Sequence, residues 1–284
     1  MHEDRPSKTA FRVALRRAAH QVLDDPKVFD DPLAMAIVGA SAGELRSNPK
    51  SQSRIARGMR AFMAVRSRYA EDGLAAAFRD GTRQYVVLGA GLDTFAYRNP
   101  YQGLRVFEVD YPATQRWKRH RLEEARISIP TSMTFAPVDF ETQTLADGLA
   151  RAGFDGGRPA FFSWLGVVPY LTLSAVIETF RFVGSLPAGS GIAFDYALPS
   201  ESLNLMQRLA LKALSDRVAA AGEPFQTFFE PSVLMSELQP MGFGSFDDLG
   251  TEEINARYFR GRADDLRVRG GIGRLMWAGV GPAS

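Results

Sequence analysis

Tyr85-Val86-Val87-Leu88-Gly89-Ala90-Gly91-Leu92-Asp93-Thr94 is the stretch from which the fold can be read. Four consecutive apolar residues suit a short strand buried on both faces. The two glycines that follow let the backbone turn tightly and approach a ligand with no Cβ in the way. Downstream the rhythm repeats. Residues 104–109 predict a second strand, with a helix over about 112–126, and residues 133–138 a third, with a helix over about 141–152. Residues 160–165 predict a fourth strand, with a helix over about 174–183, and residues 191–196 a fifth. Continuous apolar strands alternating with helices imply a doubly wound, mostly parallel sheet with helices on both faces, a Rossmann-like α/β fold.

Upstream, apolar residues recur at helical spacing over 7–23, a short helix starts at Asp31-Pro32, and a long helix spans about 53–79. Residues 41–52 are small and polar and read as a loop. Beyond the fifth strand, residues 200–222 read as helical, 225–229 as ambiguous and 232–239 as a helix. Residues 243–249 and 274–278 read as two further strands. The chain is expected to form one unit over 1–284: a helical extension and lid over 1–80, then a core over 81–284 with a helical insertion near 200–230.

Composition narrows the function. The 284 residues are 45% apolar and 23% charged, an ordinary globular balance. Cysteine is absent, which excludes disulfides, thiolate metal sites and a cysteine nucleophile. His2, His20 and His120 are too scattered for a helical zinc pair, and no G-x-S-x-G elbow accompanies them. Thirty-four basic against thirty-two acidic residues give a net charge of +2, without the concentrated footprint that nucleic acid requires. The densest basic run, residues 116–121, is followed at once by Glu123 and Glu124 and reads as a solvated helix face. No apolar stretch is long enough to span a bilayer, and the N-terminus lacks a signal-peptide core, so a cytoplasmic protein with no membrane partner is expected.

In doubly wound sheets ligands bind beyond the carboxyl ends of the strands. The first strand ends in Gly89-Ala90-Gly91, which alone fits either a ligand cradle or a plain turn. Twenty-one residues after Gly89 stands Asp110, at the spacing of a carboxylate that accepts from both ribose hydroxyls, although it could equally cap the next helix. Together they point to a nucleoside-containing ligand. A dinucleotide fingerprint wants Gly or Ala at position 94 and no anion beside the pyrophosphate. Here position 94 is Thr and position 93 is Asp. A carboxylate suits a ligand carrying an ammonium and a sulfonium, and S-adenosylmethionine is such a ligand. Val138-Asp139-Phe140, at the third strand's end, offers a carboxylate and an aromatic edge for an adenine, or merely a helix cap.

Four segments taken together resemble one family: 89–94, Phe107-Glu108-Val109-Asp110-Tyr111-Pro112, Val138-Asp139-Phe140 and Trp164-Leu165-Gly166-Val167-Val168-Pro169-Tyr170-Leu171. They are similar to the leucine carboxyl methyltransferase-like class I S-adenosylmethionine-dependent methyltransferases, in the bacterial branch that includes polyketide O-methyltransferases. Thr9-Ala10, Asp31-Pro32-Leu33-Ala34, Arg66-Ser67-Arg68 and residues 258–264 match as well. The resemblance implies a seven-stranded sheet with an antiparallel last strand and helical additions roofing the site. It implies that Arg66 holds the methionine carboxylate, that Gly89, Ala90 and Gly91 pass beneath the methionine, and that Asp110 with Glu108 holds the ribose. Asp139 and Phe140 would frame the adenine, with Trp164 and Leu165 in the site. Many relatives carry Glu where Leu165 stands, facing the methionine ammonium, so that contact falls to a backbone carbonyl or to Asp93.

The expected reaction is methyl transfer to an oxygen of a small-molecule acceptor, a carboxylate or a polyketide-like hydroxyl. A hydroxyl acceptor would use a base, for which Tyr170, Asp195 and Tyr196 are candidates. Two alternatives stand beside this reading. One is an NAD(P)-dependent reductase, disfavoured by Asp93 and Thr94 and by the lack of a Tyr-x-x-x-Lys pair. The other is an S-adenosylmethionine-binding protein without turnover, motivated by Leu165.

Overall fold

Each strand expected from an apolar run is present in the structure, a computed structural model that describes residues 8–139 and 142–282. The N-terminal helices are α1 (Lys8–Leu23), α2 (Ala34–Val38), α3 (Ala42–Ser47) and α4 (Arg54–Arg79). There follow β1 (Gln84–Leu88), β2 (Arg105–Asp110), α5 (Pro112–Glu124), β3 (Met133–Pro137), α6 (Leu145–Arg151), β4 (Phe161–Trp164) and α7 (Leu173–Gly184). The chain continues through β5 (Gly191–Ala197), α8 (Leu205–Ala219), α9 (Pro231–Leu238), β6 (Phe243–Leu249), α10 (Thr251–Tyr258) and β7 (Gly273–Val280).

The seven strands form one sheet in the order β3-β2-β1-β4-β5-β7-β6. The first five strands pair parallel, and β7 runs antiparallel to both β5 and β6. The order reverses at β1 and β4, so the switch point lies where the Gly89–Gly91 turn leaves the sheet. Side chains alternate across the pleat. Val86 and Leu88 face a core completed by Val176 and Phe180 of α7 and Leu234 of α9. Tyr85 and Val87 face a second core built on Ala61, Val65 and Leu74 of α4. A third cluster, Ala14, Ala18, Ile37, Leu92 and Leu122, packs α1 and α2 onto the turn after β1 and onto α5. No helix among the described residues is long and apolar enough to cross a membrane.

Several local expectations need correction. Residues 41–52 are not a loop: Ser41 accepts from the Glu44 N–H at 3.2 Å while Glu44 reaches back to the Ser41 N–H at 2.8 Å. That reciprocal box starts α3, and a 3-10 turn follows over Pro49–Gln52. The helix after β3 starts only at Leu145, because the Thr144 hydroxyl caps Asp147 there. Helix α10 escaped the sequence reading. The basic run 116–121 is only partly solvated, since Lys118 is buried with its Nζ 2.6 Å from Glu108 and Arg119 lies over the Phe135 ring.

Candidate active site

A cavity of about 410 Å³ opens at the carboxyl ends of β1, β2 and β4. Its floor is the turn after β1. Gly89 has φ +62° and Gly91 φ +46°, the left-handed region that glycine enters at no steric cost. A Cβ on Gly89 would stand 2.3 Å from Cγ2 of Val167, so the turn and the β4 loop approach too closely for any other residue.

Asp110 ties two loops together. Its Oδ2 accepts from the Gly91 N–H at 2.6 Å and its Oδ1 from the Tyr111 N–H at 2.7 Å. Burial raises its pKa, opposed by those two backbone donors. It lines the cavity together with Asp93 and Asp139. Asp93 accepts from the Phe95 N–H through Oδ1 at 2.8 Å. Phe140 lies outside the described residues.

Arg66 reaches the cavity from α4 and is only 5% exposed. Its Nη1 lies 3.1 Å from Oδ2 of Asp195 on β5, and the other oxygen of Asp195 accepts from the Gly166 N–H. Asp195 therefore sits behind the wall and orients the guanidinium. It is not placed to take a proton from a ligand.

Besides Asp195, three expected residues are not in the cavity wall. Glu108 shares a face with Asp110 but lies two residues back along β2, beneath α5. There it is fully buried, pairs with Lys118 at 2.6 Å and accepts from the Tyr97 hydroxyl at 3.2 Å. Burial pushes its pKa up to about 7 against the pull of Lys118. Trp164 points to the opposite face of the sheet from Ser163 and Leu165, onto Phe180, with ring centroids 5.5 Å apart. Tyr196 also faces away, and its hydroxyl donates to Asp248 at 2.9 Å.

Leu165 and Tyr170 do line the cavity, as do Gly89, Ala90 and Gly91. Burial pushes the Tyr170 phenol up to about 12, which leaves it a hydrogen-bond donor at neutral pH. The roof comes from two elements. One is α1, whose Ala10, Val13 and Arg17 face inward; Arg17 donates to the Leu92 carbonyl and pairs with Asp31 at 2.7 Å. Asp31 also accepts from the Thr94 hydroxyl at 2.8 Å, so the Asp31-Pro32 motif locks the roof onto the β1 turn.

The other roof element is the segment after α8, which contributes Gly222, Glu223, Pro224 and Gln226. Gln226 fastens it through its N–H to the Pro169 carbonyl at 2.7 Å and through Nε2 to the Tyr170 carbonyl at 2.6 Å. Sequence reasoning missed Arg17, Glu223 and Gln226. Arg17 acts on Leu92, and Gln226 on Pro169 and Tyr170, all more than fifty positions away; Glu223 is carried by the same segment as Gln226, and none of the three has a local motif. No cluster of three metal-ligating side chains occurs among the described residues.

Comparison with known proteins bears on the family and the fold. The profile of the family named leucine carboxyl methyltransferase matches residues 10–184. A Bacillus subtilis protein, YktD, named for S-adenosyl-L-methionine-dependent methyl transfer, is 32% identical over 301 residues, covering 94% of this chain and 95% of its own. A similarly named protein of Mycolicibacterium paratuberculosis is 32% identical over 230 residues, covering 74% of this chain and 71% of its own. Among solved structures, a Thermobifida fusca protein superposes with a TM-score of 0.56 at 17% identity, over 94% of both chains. A duf574 family protein of Streptomyces avermitilis superposes with a TM-score of 0.55 at 16% identity, covering 95% of this chain and 97% of that one. These two confirm the fold. The family match and the full-length relative show that the chain belongs to the leucine carboxyl methyltransferase family and is an S-adenosyl-L-methionine-dependent methyltransferase.

Proposed function

We propose that the protein methylates an oxygen of a small-molecule acceptor, a carboxylate or a polyketide-like hydroxyl, within the cavity above β1 and β4. The observation that carries this reading is the enclosure itself. A cavity of about 410 Å³ falls within the ordinary range for small ligands, and α1 and residues 222–226 roof it.

The wall suits the cofactor chemically. A glycine turn without Cβ atoms leaves room for close backbone approach, a carboxylate at the end of β2 suits a ribose, and a buried guanidinium suits an α-carboxylate. In this reading Arg66 holds the methionine carboxylate, Gly89 to Gly91 pass beneath the methionine, Asp110 holds the ribose and Asp139 meets the adenine. Asp195 acts through Arg66 as a positioning residue.

When bound, the cofactor supplies a methyl group already made electrophilic by its sulfonium. The chain's task is alignment: to hold the acceptor oxygen in line with that methyl and to keep water out. Val13, Met63, Val167 and Leu171 supply apolar walls, while Tyr170 donates to the acceptor. A carboxylate acceptor needs no base, which agrees with a site in which Asp195 is already paired and Tyr170 stays protonated.

The test is to incubate the enzyme with methyl-labelled S-adenosylmethionine and a panel of carboxylic acids and phenolic polyketides, and to locate the label by mass spectrometry. A methyl ester or ether supports the proposal. Transfer to nitrogen, carbon or sulfur acceptors alone would overturn it.

A further inference from the structure

Glu223 lies just beyond the end of α8, with its backbone N–H donating to the Val218 carbonyl at 3.0 Å. The residue is part of the cavity wall. The carboxylate oxygen Oε2 is sealed from solvent and has no hydrogen-bond partner among the described residues. A buried carboxylate oxygen without a donor is costly and is commonly completed by what binds beside it. Three residues on, Gln226 clamps the segment onto Pro169 and Tyr170, so this carboxylate is held over the loop that follows β4. The same loop carries Gly166, whose N–H is bound by the Asp195 that orients Arg66.

The other carboxylates of the wall are differently placed. Asp110 has both oxygens on backbone donors, and Asp93 gives Oδ1 to the Phe95 N–H. Asp139 stands at the end of β3, three strands away from β4. Tyr170 lies within electrostatic reach of Arg66, Glu223, Asp195 and Arg16, of which only Arg66 and Glu223 line the cavity. The β4 end of the cavity thus presents one cation and one anion. An α-amino acid carries a carboxylate and an ammonium on one carbon, and this pair of wall charges is its complement. Leu165, in the same wall, offers only an apolar side chain.

We propose that Glu223, delivered by the roof after α8, binds the ammonium of the cofactor's methionine moiety opposite the Arg66 that binds its carboxylate. The proposal rests on the placement of the methionine end against Arg66. It makes the roof segment part of the cofactor site as well as a cover for the acceptor.

The experiment is calorimetric titration of the full chain with two probes. S-Adenosylhomocysteine carries the amino-acid end, and 5′-methylthioadenosine has the nucleoside and sulfur without it. The wild type binds the first more tightly. Glu223→Gln weakens S-adenosylhomocysteine about tenfold or more, the loss of one charge-assisted contact, and leaves methylthioadenosine unchanged. Unchanged methylthioadenosine binding also shows that the variant is folded. Unaltered affinity for S-adenosylhomocysteine, or equal weakening of both probes, overturns the role of Glu223. Arg66→Gln is the separate arm. If it weakens only S-adenosylhomocysteine, the underlying placement stands whatever Glu223 does. If it leaves that affinity unchanged, the placement itself falls.

Discussion

Arg66 on α4 and Asp195 on β5, 129 positions apart in the chain, form an ion pair 3.1 Å long with side chains only 6% and 8% exposed. The second oxygen of Asp195 takes the Gly166 N–H, so one carboxylate fixes both a helix side chain and the loop after β4. Breaking a buried pair by removing one partner costs more than the pair contributes, because the other charge stays buried. Asp195→Asn is therefore expected to lower stability by about 3 kcal/mol in urea unfolding. It should also weaken S-adenosylhomocysteine binding, since Arg66 loses its orientation. Unchanged stability and affinity would show that Arg66 is held in place by packing alone.

Asp110 should matter to the cofactor through both of its oxygens. Asp110→Ala removes the proposed ribose contact and also releases the Gly91 N–H that the carboxylate holds at 2.6 Å. Two charge-assisted hydrogen bonds at roughly 1.5–3 kcal/mol each suggest a loss of at least about a hundredfold in S-adenosylhomocysteine affinity. Isothermal calorimetry reads this directly, and an unaltered dissociation constant would rule out the ribose at Asp110.

The turn after β1 can be probed with a matched pair of glycines. Gly89 and Gly81 both have positive φ, +62° and +103°. A Cβ at Gly81 would meet nothing within 4 Å, whereas at Gly89 it would meet Val167 at 2.3 Å. Gly81→Ala should cost only backbone strain, about 1 kcal/mol. Gly89→Ala adds overpacking of roughly 1–3 kcal/mol and should lower the melting temperature further. Equal shifts in melting temperature for the two variants would mean that Val167 yields easily.

Glu108 makes stability depend on pH. Its carboxyl is raised from 4.5 to about 7, chiefly by burial, with Lys118 opposing. The folded state therefore holds this proton more tightly than the unfolded chain does. The stability it contributes is present in full below about pH 4.5 and is lost as pH rises through about 7. Between pH 5 and 8 the wild type should lose on the order of 2 kcal/mol more than Glu108→Gln, compared by urea midpoints. Parallel profiles for the two proteins would show that Lys118 keeps Glu108 ionised throughout.

The position of Glu108 illustrates how far strand reasoning carries. Alternation correctly placed it on the face of Asp110, but only the packing of α5 over that face put Lys118 against it and removed it from the cavity. Trp164 is the converse case. Its neighbours Ser163 and Leu165 line the cavity, and period-two alternation turns Trp164 itself into the core beside Phe180. Tyr196 follows the same rule and ends on Asp248.

What the amino-acid order determined by itself is local or short in range. Apolar runs placed the strands, the glycines marked the turn after β1, and the interval from Gly89 to Asp110 placed a carboxylate at the next strand end. Each of these depends on residues close along the chain, whose spacing translates directly into geometry. The order of the sheet, the Arg66–Asp195 pair, the Asp31–Thr94 lock and the arrival of Glu223 over the β4 loop depend on segments far apart in sequence. Only tertiary packing decides those, because no local pattern records which distant side chain will fill a given buried position.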